Sequence, residues 1–559
     1  MGRVGGLLAR RSGAWVLAGY CLLSFLYFGL PVVSHPGRVA VGSDNDPKLF
    51  IWMFAWWPHA IVHGENAVIT HAIWAPSGYD LSWATSIPAL SLVFWPLTAV
   101  AGPVVSFNVC AILLPALSAW TAFLLCRYLT RSAWAGLVGG YLYGFSSYML
   151  GHEEGHMHLT AVFVLPLVVL VLVRALRGEL GRRGLVWRLG VLLAVQLAIS
   201  TEVLATLTLA LVVGAALAAA LVASFRAAAR PLVVPVAASY LVAALLAGPL
   251  VYYALTDFIS GQFTPAGSFV ADAANLVVPT QTAALGGAAS AHVSAHFPGN
   301  ELEQTAYFGV PWLLLLAFYF LERWKEPAAR FLLASFAVAL VLAFGSALHV
   351  DGHRVIALPW ALVDGLPPFN EVYPVRLTLY AVLAGAVAVA LWIGTTRTPR
   401  WIRVAFPLVV LVSLAPDLGH HHWDEKLDLP SFFRGADVKR CLAPGENVLV
   451  LPYGYEGSST LWQAVSGFRF RLAGGEVGDW VPPAFDGPLV TDLRFDTIPA
   501  NEGSGIVDFA RSKGVSTIIV DPADPVNWSY LLAFTGPPEH VGGLLLYRVG
   551  PGAPPASAC

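Results

Sequence analysis

Charged residues are scarce in this chain. Of its 559 residues only 12% are charged, whereas 57% are hydrophobic; a soluble domain averages about 25% charged residues. This scarcity excludes an ordinary soluble protein. Repeated apolar runs of the roughly 20 residues needed to cross a bilayer predict an α-helical polytopic membrane protein. The formal net charge of -2 argues against nucleic-acid binding, which needs a basic surface, so we expect a lipid bilayer as partner and no nucleic acid.

Cysteine is also rare, with five residues in all. Cys21, Cys110 and Cys126 lie within apolar runs and are interpreted as inert packing residues. Cys441 and Cys559 fall in the more polar C-terminal part. They can pair if that part is extracytoplasmic, but two cysteines do not make a disulfide framework.

The first apolar run, residues 14–33, lacks a small-residue cleavage site at its end, which argues against a signal peptide. Arg3, Arg10 and Arg11 precede the run. By the positive-inside rule we predict an uncleaved first span with a cytoplasmic N-terminus, and an outer loop from residue 34 to residue 86.

Ten further apolar runs predict ten more spans, eleven in total, within a membrane domain of residues 1–419. These runs are 104–126, 133–150, 159–175, 187–201, 203–224, 231–255, 307–321, 329–348, 372–394 and 403–416. Segment 87–101 is short and contains two prolines, and we interpret it as re-entrant or interfacial. Arg127 and Arg131 then join the other basic loops on the cytoplasmic side of a bacterial cytoplasmic membrane.

The composition changes near residue 420, where strand-like and helix-like segments begin to alternate. The segments are strands near 447–452, 515–521 and 544–548, and helices near 458–468 and 505–514. This alternation predicts a small extracytoplasmic α/β domain, residues 420–559. The segment has no Gly-rich phosphate fingerprint and no evident nucleophile–base set.

The first outer loop carries two acidic residues directly before an aromatic helical pattern. Asp46 precedes Pro47, which is typical of a helix N-cap followed by a first-turn proline. Amphipathic aromatic side chains of this kind settle at a membrane–water boundary. They are Trp52, Trp56 and Trp57. We predict an interfacial helix with its acidic N-terminus just above the bilayer; the alternative is that Asp46 only caps the helix and Asp44 is a solvated loop residue.

Other ionisable residues are predicted on the same outer face. They are His152, Glu153, Glu154, His156 and His158 in one turn, Glu202 in a hairpin, Glu301 and Glu303 at the end of a long loop, and the segment from Glu371 to Arg376. Ionisable residues in or near a membrane usually face a cavity or a partner. Their collection on one face predicts a single cavity at the outer leaflet. The alternative is that these loops are polar only because they contact water. That explanation is weaker for Glu202, which lies in a very short turn between two apolar runs.

The segment from His152 to His156 matches H-E-x-x-H, the zinc-protease signature with two histidines on one helical face and a general-base glutamate. Gly155 weakens the helix that this signature needs, and no third ligand stands at a known spacing. We keep the zinc protease as a minor alternative. We prefer the interpretation that these histidines line the edge of the cavity and form hydrogen bonds or ion pairs with a phosphate. The simplest alternative is that they are ordinary loop residues.

Three segments, in this order and after one span, resemble the GT-C superfamily of integral membrane glycosyltransferases, in a largely uncharacterised bacterial branch. They are Asp46-Pro47 to Trp57, Pro76-Ser77-Gly78-Tyr79-Asp80-Leu81, and Gly144 to His152. The segment Pro367-Pro368-Phe369 to Arg376 is similar to bacterial YfhO-like membrane proteins. The resemblance covers most of the membrane part.

This resemblance implies that an acidic residue of the first outer loop acts as general base on the acceptor hydroxyl, or helps to hold a divalent cation. Carried over, the role falls to Asp46 or Asp44, and Asp46 is preferred because it keeps the Asp-Pro-aromatic context. The D-x-D form of Asp44-Asn45-Asp46 suits oxygen ligation of Mg²⁺ or Mn²⁺. In this superfamily the donor is usually a sugar on a polyprenyl phosphate.

The resemblance to the GT-C superfamily also suggests residues that bind the substrates. The donor phosphate is assigned to Arg376, which offers a bidentate fork, with His152 and His156 beside it. Tyr373, in the same segment as Arg376, is assigned to substrate binding. Glu154 and Glu202 are expected to orient the acceptor sugar or to bind a metal.

The sequence thus predicts an inverting glycosyltransferase that uses a polyprenyl-phosphate sugar donor and a cell-envelope glycan or glycolipid acceptor on the extracytoplasmic face. A transporter or flippase for a lipid-linked substrate is one alternative. It predicts inverted repeats or ionisable residues at mid-membrane, and neither is evident. A non-catalytic envelope assembly factor is the other alternative.

Overall fold

The computed structural model describes residues 2–43, 45–256, 267–366, 372–420, 422–478, 480–495, 497–498, 503–550 and 559. Helices dominate as far as residue 413. They are α1 (Gly2–Ser24), α2 (Asp46–His63), α3 (Pro88–Ala101), α4 (Pro103–Thr130), α5 (Ala133–Gly144), α6 (Ser147–Glu153), α7 (Met157–Thr160), α8 (Val164–Leu176), α9 (Arg182–Leu197), α10 (Thr201–Leu221), α11 (Phe225–Ala229), α12 (Val233–Leu246), α13 (Gly248–Thr256), α14 (Ala288–Ser294), α15 (Gly309–Arg323), α16 (Pro327–Ala343), α17 (Thr378–Thr395) and α18 (Ile402–Ser413). The strands among them are β1 (Val39–Val41), β2 (Ile69–Thr70), β3 (Tyr79–Asp80), β4 (Ala347–Val350) and β5 (His353–Ala357).

Each of the eleven apolar runs contains a helix, because a segment in hydrocarbon must satisfy its backbone polar groups internally. Among the described residues, five helical stretches are long and apolar enough to cross a bilayer: Pro103–Thr130, Met157–Leu176, Thr201–Leu221, Phe225–Leu246 and Pro374–Thr395. Four shorter apolar helices accompany them: Gly13–Gly29, Pro88–Ala101, Pro327–Ala343 and Ile402–Ser413. The total of eleven spans stays a prediction.

The proline-containing segment 87–101 forms α3, which has 14 residues. At 1.5 Å per residue α3 is about 21 Å long, shorter than the roughly 30 Å hydrocarbon core. Gly102, at φ 87°, turns the chain directly into α4. This length agrees with a segment that enters the membrane without crossing it, and the interpretation of segment 87–101 stays a prediction.

The C-terminal region, residues 424–548, is a mixed α/β structure. Its elements are β6 (Asp424–Lys426), α19 (Ser431–Arg434), α20 (Asp437–Cys441), β7 (Glu446–Leu451), α21 (Ser459–Val465), β8 (Phe470–Leu472), α22 (Pro488–Arg494), α23 (Gly503–Ser512), β9 (Thr517–Val520), α24 (Trp528–Leu531), β10 (Glu539–Val541) and β11 (Leu544–Arg548). Five strands form one sheet in the order β10-β11-β9-β7-β8. Strand β7 runs parallel to β8 and β9, and β11 is antiparallel to β9. The strands predicted from the sequence are β7, β9 and β11.

The first outer loop packs on the C-terminal region. Strand β1 pairs antiparallel with β6. Farther along the loop, Ala75 N donates to Leu472 O at 2.8 Å, and Leu472 N donates to Ala72 O at 2.9 Å. Buried apolar side chains form one continuous cluster from Tyr20 to Tyr547. A division at residue 419/420 stays a prediction, and the contacts across it are extensive.

The start of α2 corrects the sequence interpretation of Asp46. The N-cap position is occupied by Asn45, and Asp46 is the first helical residue, with Pro47 next to it. Asp46 is therefore not the cap. Its carboxylate is available for contacts outside the helix.

The tryptophans of α2 are buried inside the protein, so their assignment to a membrane–water boundary is wrong. Trp52, Trp56 and Trp57 are all at most 6% exposed. The indole of Trp52 donates to Gln463 Oε1 at 2.7 Å, which attaches α2 to α21 of the C-terminal region. Amphipathic aromatic residues find polar partners within a protein as readily as at a bilayer surface.

Cys441 and Cys559 form a disulfide, as the sequence analysis allowed. Of the other cysteines, Cys110 and Cys126 are buried. Burial agrees with their interpretation as packing residues.

Candidate active site

Arg376 lies at the centre of a group of ionisable side chains from distant parts of the chain. Its Nη1 donates to Glu202 Oε2 at 2.6 Å, and its Nε donates to Glu303 Oε1 at 2.9 Å. Nη2 also donates to Glu303 Oε1. The guanidinium lies over the ring of Tyr373, 4.4 Å from its centroid, in a cation–π contact. All three guanidinium nitrogens thus contact carboxylates.

His156 connects this arginine to the first outer loop. Its Nε2 lies 3.5 Å from Asp46 Oδ2, and its Nδ1 lies 3.6 Å from Glu303 Oε1. His152 and His156 share a hydrogen bond between their Nδ1 atoms at 3.1 Å. We call Asp46, His156, Glu202, Glu303 and Arg376 the Arg376 network.

Local sequence signals place the two carboxylates on either side of Arg376. The Ser200 side chain accepts from Val203 N and caps α10, so that Glu202 lies in its first turn. Asn300 Oδ1 accepts from Glu303 N at 3.2 Å and caps the 3₁₀ turn that ends at Glu303. These caps fix the approach of both acids to the guanidinium.

Gly42 brings the first outer loop close to the turn after α6. Its φ is 87°, a conformation that favours glycine, and an added Cβ would lie 2.2 Å from the backbone oxygen of Glu154. The next residue, Ser43, donates its backbone N–H to that same oxygen at 2.8 Å. A side chain at residue 42 would therefore separate Asp46 from His156.

The exposure of these groups differs. Asp46 and Glu202 are partly open, with 22% and 25% of the side chain exposed, whereas Glu303 is 2% exposed. Complete burial, with the nearby charges of His156 and Arg376, lowers the pKa of His152 well below its usual range. His152 is therefore neutral at neutral pH, and Arg376 contributes a formal positive charge to the network beside it.

A pocket of about 290 Å³ borders the network at Glu202, and His158 also lines it. Its walls come from the start of α3, the turn between α9 and α10, and α13. They are mostly apolar, with side chains such as Ile199, Leu250 and Leu255. His158 Nε2 lies 3.9 Å from Glu202 Oε2 at the polar end. An apolar cleft with a polar end is the usual form of a site for an amphiphilic ligand.

Two groups of histidine and glutamate side chains have their ligand atoms within 4.8 Å of one another. The first is His152, His156 and Glu303, inside the site; the second is Glu154, Glu301, His420 and His422. The first has two imidazoles and one carboxylate, a donor set that suits Mn²⁺ or Zn²⁺ better than Mg²⁺. We call the second group the Glu154 cluster.

The sequence analysis anticipated much of this site. Of its eight candidates, the structure brings together Asp46, His152, His156, Glu202, Tyr373 and Arg376; Glu154 turns away into its own cluster, and Asp44 lies outside the described residues. In the segment similar to YfhO-like proteins, residues 367–371 also lie outside them. The assigned role of each residue stays a prediction.

Five functional candidates were not selected from the sequence: His158, Glu301, Glu303, His420 and His422. Glu303 was noted only as the end of a long loop, because nothing local indicates that it meets Arg376. The signal for the last two was present, since three consecutive histidines, 420–422, follow the last apolar run. Short histidine-rich tracts are typical of metal binding.

The H-E-x-x-H match does not have the geometry of a zinc-protease helix. Helix α6 ends at Glu153, so His156 lies beyond it and the two histidines do not share a regular helical face. Both oxygens of Glu153 are buried without a hydrogen-bond partner among the described residues, and burial raises the pKa of this carboxyl well above its usual range. A protonated, enclosed carboxyl is unsuited to act as a general base on water.

Several apolar stretches of bilayer length, with ionisable residues at their ends, define a multi-pass membrane protein. One family model matches residues 17–415, more than half of the chain. The chain belongs to that family, which is described as Domain of unknown function (DUF6311). No curated protein matches the sequence.

Among solved structures, the chain is similar to the archaeal oligosaccharyltransferase AglB from Archaeoglobus fulgidus in complex with an inhibitory peptide and a dolichol-phosphate, with TM-score 0.49, 13% identity, and coverage of 98% of this chain and 75% of that chain. It is similar to the arabinofuranosyltransferase AftD from Mycobacteria, with TM-score 0.49, 16% identity, and coverage of 97% and 42%. It is also similar to ArnT from Cupriavidus metallidurans bound to undecaprenyl phosphate, with TM-score 0.44, 12% identity, and coverage of 97% and 99%. These TM-scores lie below 0.5, so the likenesses alone support no conclusion about activity, substrate or partners.

Proposed function

We propose that this chain is a membrane glycosyltransferase of the GT-C type. It transfers a sugar from a polyprenyl-phosphate donor to a cell-envelope glycan or glycolipid acceptor on the extracytoplasmic face of a bacterial cytoplasmic membrane. The observation that carries the proposal is the Arg376 network, which joins a partly open carboxylate, Asp46, to a buried cation beside an apolar-walled pocket.

Asp46 is the proposed general base. Its carboxylate is the part of the network that belongs to the first outer loop, and it is open enough to meet an acceptor hydroxyl. As that hydroxyl oxygen forms its bond to the anomeric carbon, Asp46 takes the hydroxyl proton, and the bond from the anomeric carbon to the phosphate oxygen breaks with its electron pair on the phosphate. Attack opposite the leaving group inverts the anomeric configuration.

The lipid donor fits the pocket beside Glu202. Its apolar walls suit isoprenoid carbons, while the polar end leads to Arg376 through the Glu202 carboxylate. Arg376 is the proposed phosphate ligand, and binding would exchange one of its carboxylate contacts for a phosphate oxygen. A divalent cation held by His152, His156 and Glu303 would supply further charge for the departing phosphate.

Two features support an extracytoplasmic site. The first outer loop packs on the C-terminal region, so both lie on one side of the membrane. The Cys441–Cys559 disulfide lies in that region, and disulfides persist in oxidising compartments outside the cytoplasm.

The positions of the ionisable residues favour an enzyme over a transporter. Glu202 lies in the first turn of α10, and Arg376 lies in the 3₁₀ turn directly before α17. These groups meet at the ends of apolar helices, whereas a transporter site is expected near the middle of the membrane.

The test is sugar transfer by membranes that contain the full chain, with a panel of radiolabelled polyprenyl-phosphate sugars. We expect Asp46→Asn to lower transfer by about 10²- to 10⁴-fold, the usual contribution of a general base. Asp508→Asn is the matched control, because Asp508 is an exposed carboxylate on α23. Asp44→Asn is measured beside them.

Folding of each variant is checked by its elution in detergent. If the wild type consumes no donor, or if folded Asp46→Asn transfers sugar at the rate of Asp508→Asn, the proposed mechanism is wrong. Loss of transfer in Asp44→Asn alone would move the base to Asp44.

A further inference from the structure

The Glu154 cluster assembles four side chains from three segments outside the Arg376 network. Glu154 follows α6, Glu301 ends the long loop before α15, and His420 and His422 follow α18. The family model ends at residue 415, before both histidines. No local pattern requires these segments to meet, so their convergence needs a physical cause.

Three distances between ligand atoms are close to the edge length of a metal coordination polyhedron, and with one atom from each residue all four ligand atoms lie within 4.8 Å of one another. His420 Nε2 lies 3.4 Å from Glu154 Oε1, His422 Nδ1 lies 3.2 Å from Glu154 Oε2, and His422 Nδ1 lies 3.6 Å from Glu301 Oε2. Nitrogen and oxygen ligands at about 2.0–2.2 Å from a tetrahedral ion lie about 3.3–3.6 Å from one another.

The burial of Glu154 requires a compensating charge. Its side chain is 0% exposed, and neither carboxylate oxygen accepts a hydrogen bond of acceptable geometry from the described residues. None of the described lysines or arginines forms an ion pair with Glu154 or Glu301. Two neighbouring carboxylates without a cation repel one another, and a buried, unsatisfied carboxylate is strongly disfavoured.

We propose that the Glu154 cluster binds one divalent transition-metal ion, Zn²⁺ by its donor set, as a structural site. Two imidazoles and two carboxylates complete a tetrahedral shell, and a shell closed by four protein ligands is typical of structural zinc. His422 and Glu301 are 28% and 21% exposed, which leaves an entry path on one side of the cluster.

The ion would hold the segment after α18 against the turn that contributes to the active site. Glu154 lies between His152 and His156 in the sequence, and Glu301 is two residues from Glu303. Through its backbone oxygen, Glu154 also accepts from Ser43 of the first outer loop. The site is therefore a positioning site for the Arg376 network, and its existence does not depend on the proposed glycosyl transfer.

The test is the zinc content of the full chain in detergent, stripped with EDTA, reloaded with Zn²⁺ and freed of excess metal. We expect the wild type to retain at least one zinc per chain, and His420→Ala/His422→Ala to retain about one zinc per chain fewer than the wild type. The matched control is His35→Ala/His540→Ala, which removes two exposed histidines and should keep the zinc. His152→Ala/Glu303→Gln should keep the zinc of the Glu154 cluster and lose only an ion held by His152, His156 and Glu303, which separates the two groups.

Two measurements on the wild type guard against a variant that fails to fold. EDTA should lower the midpoint of thermal unfolding, and Zn²⁺ should restore it; Co²⁺ in place of Zn²⁺ should give the visible bands of a tetrahedral complex. The proposal is overturned if the wild type retains no zinc and shows no Co²⁺ bands. It is equally overturned if His420→Ala/His422→Ala retains as much zinc as the wild type, or if only His152→Ala/Glu303→Gln loses zinc.

Discussion

The Arg376 network and the Glu154 cluster are neighbours with similar side chains, yet their buried carboxylates are compensated differently. Glu303, 2% exposed, accepts hydrogen bonds from a guanidinium that the chain itself supplies. Glu154, 0% exposed, has imidazoles as its nearest basic groups. A network with its own cation can exchange contacts with a substrate, whereas a cluster without one favours a bound metal.

A third carboxylate extends this comparison. Glu153 is buried beside Glu154, and neither of its oxygens has a hydrogen-bond partner among the described residues. Its raised pKa indicates that it takes up a proton. Three buried glutamates at one site are thus compensated by a guanidinium, a proposed metal ion and a proton.

The largest effect is expected from removing Arg376, the cation that the chain itself supplies to Glu202 and Glu303. Arg376→Ala leaves Glu303 and Glu202 without their charge partner, so we expect a loss of about 3–5 kcal/mol in the free energy of unfolding, together with loss of sugar transfer. Unfolding in detergent measures the first and the radiolabel assay the second. Arg354→Ala, at an exposed arginine of β5, should match the wild type.

A double variant sharpens this prediction. Arg376→Ala/Glu303→Gln should recover part of the lost stability without recovering transfer, because it removes the uncompensated charge but not the need for a cation. If Arg376→Ala is as stable as Arg354→Ala, the guanidinium does not compensate the buried acids and the comparison fails.

A smaller effect is expected at Gly42, where the first outer loop contacts the turn that carries Glu154. Gly42→Ala places a Cβ against the backbone oxygen of Glu154 and forces an L-residue to φ 87°. Strain of this kind costs about 1–3 kcal/mol. We expect lower sugar transfer and weaker zinc retention together, because the loop and the turn move apart.

Gly37→Ala is the matched control for this variant, since an added Cβ at Gly37 meets nothing within 4 Å. Equal transfer and equal zinc retention in the two variants would show that the close approach at residue 42 is not needed by either group.

The smallest effect is expected at Glu153 and depends on pH. Because the folded state raises the pKa of Glu153 above the unfolded value of about 4.3, the stability of the wild type should fall as pH rises from that value towards the raised pKa. Glu153→Gln cannot lose a proton and should lack this fall. Melting temperatures across the pH range compare it with the wild type and with Glu65→Gln, an exposed control; parallel profiles would show that Glu153 is not held protonated.

Much of the helical part could be predicted because the signals are local. Each apolar run contains a helix, and β7, β9 and β11 lie at the predicted strand positions. The total number of spans and the division near residue 419 are not decided by composition, since helices shorter than the bilayer and strand pairing across the division both occur.

The candidate site could be predicted only in part. The outer-face positions of Asp46, His156, Glu202 and Arg376 follow from span counting, and the structure brings these residues into contact. Glu303 could not be chosen, because its importance comes from contacts with Arg376 and His156, which are far from it along the chain. Nor could the sequence show that the tryptophans of α2 are buried within the protein, with Trp52 bonded to α21, rather than placed at a bilayer surface.

The sequence by itself determined where helices form and that they belong in a membrane, because hydrocarbon leaves an apolar segment no other way to satisfy its backbone. Only the tertiary structure decided which buried acid meets which basic group. Glu153 and Glu154 are adjacent identical residues, yet Glu153 has no hydrogen-bond partner within the part of the chain that the structure describes, whereas Glu154 faces His420 and His422. The cost of burying a charge depends on the groups within a few ångströms of it, and those groups come from distant parts of the chain.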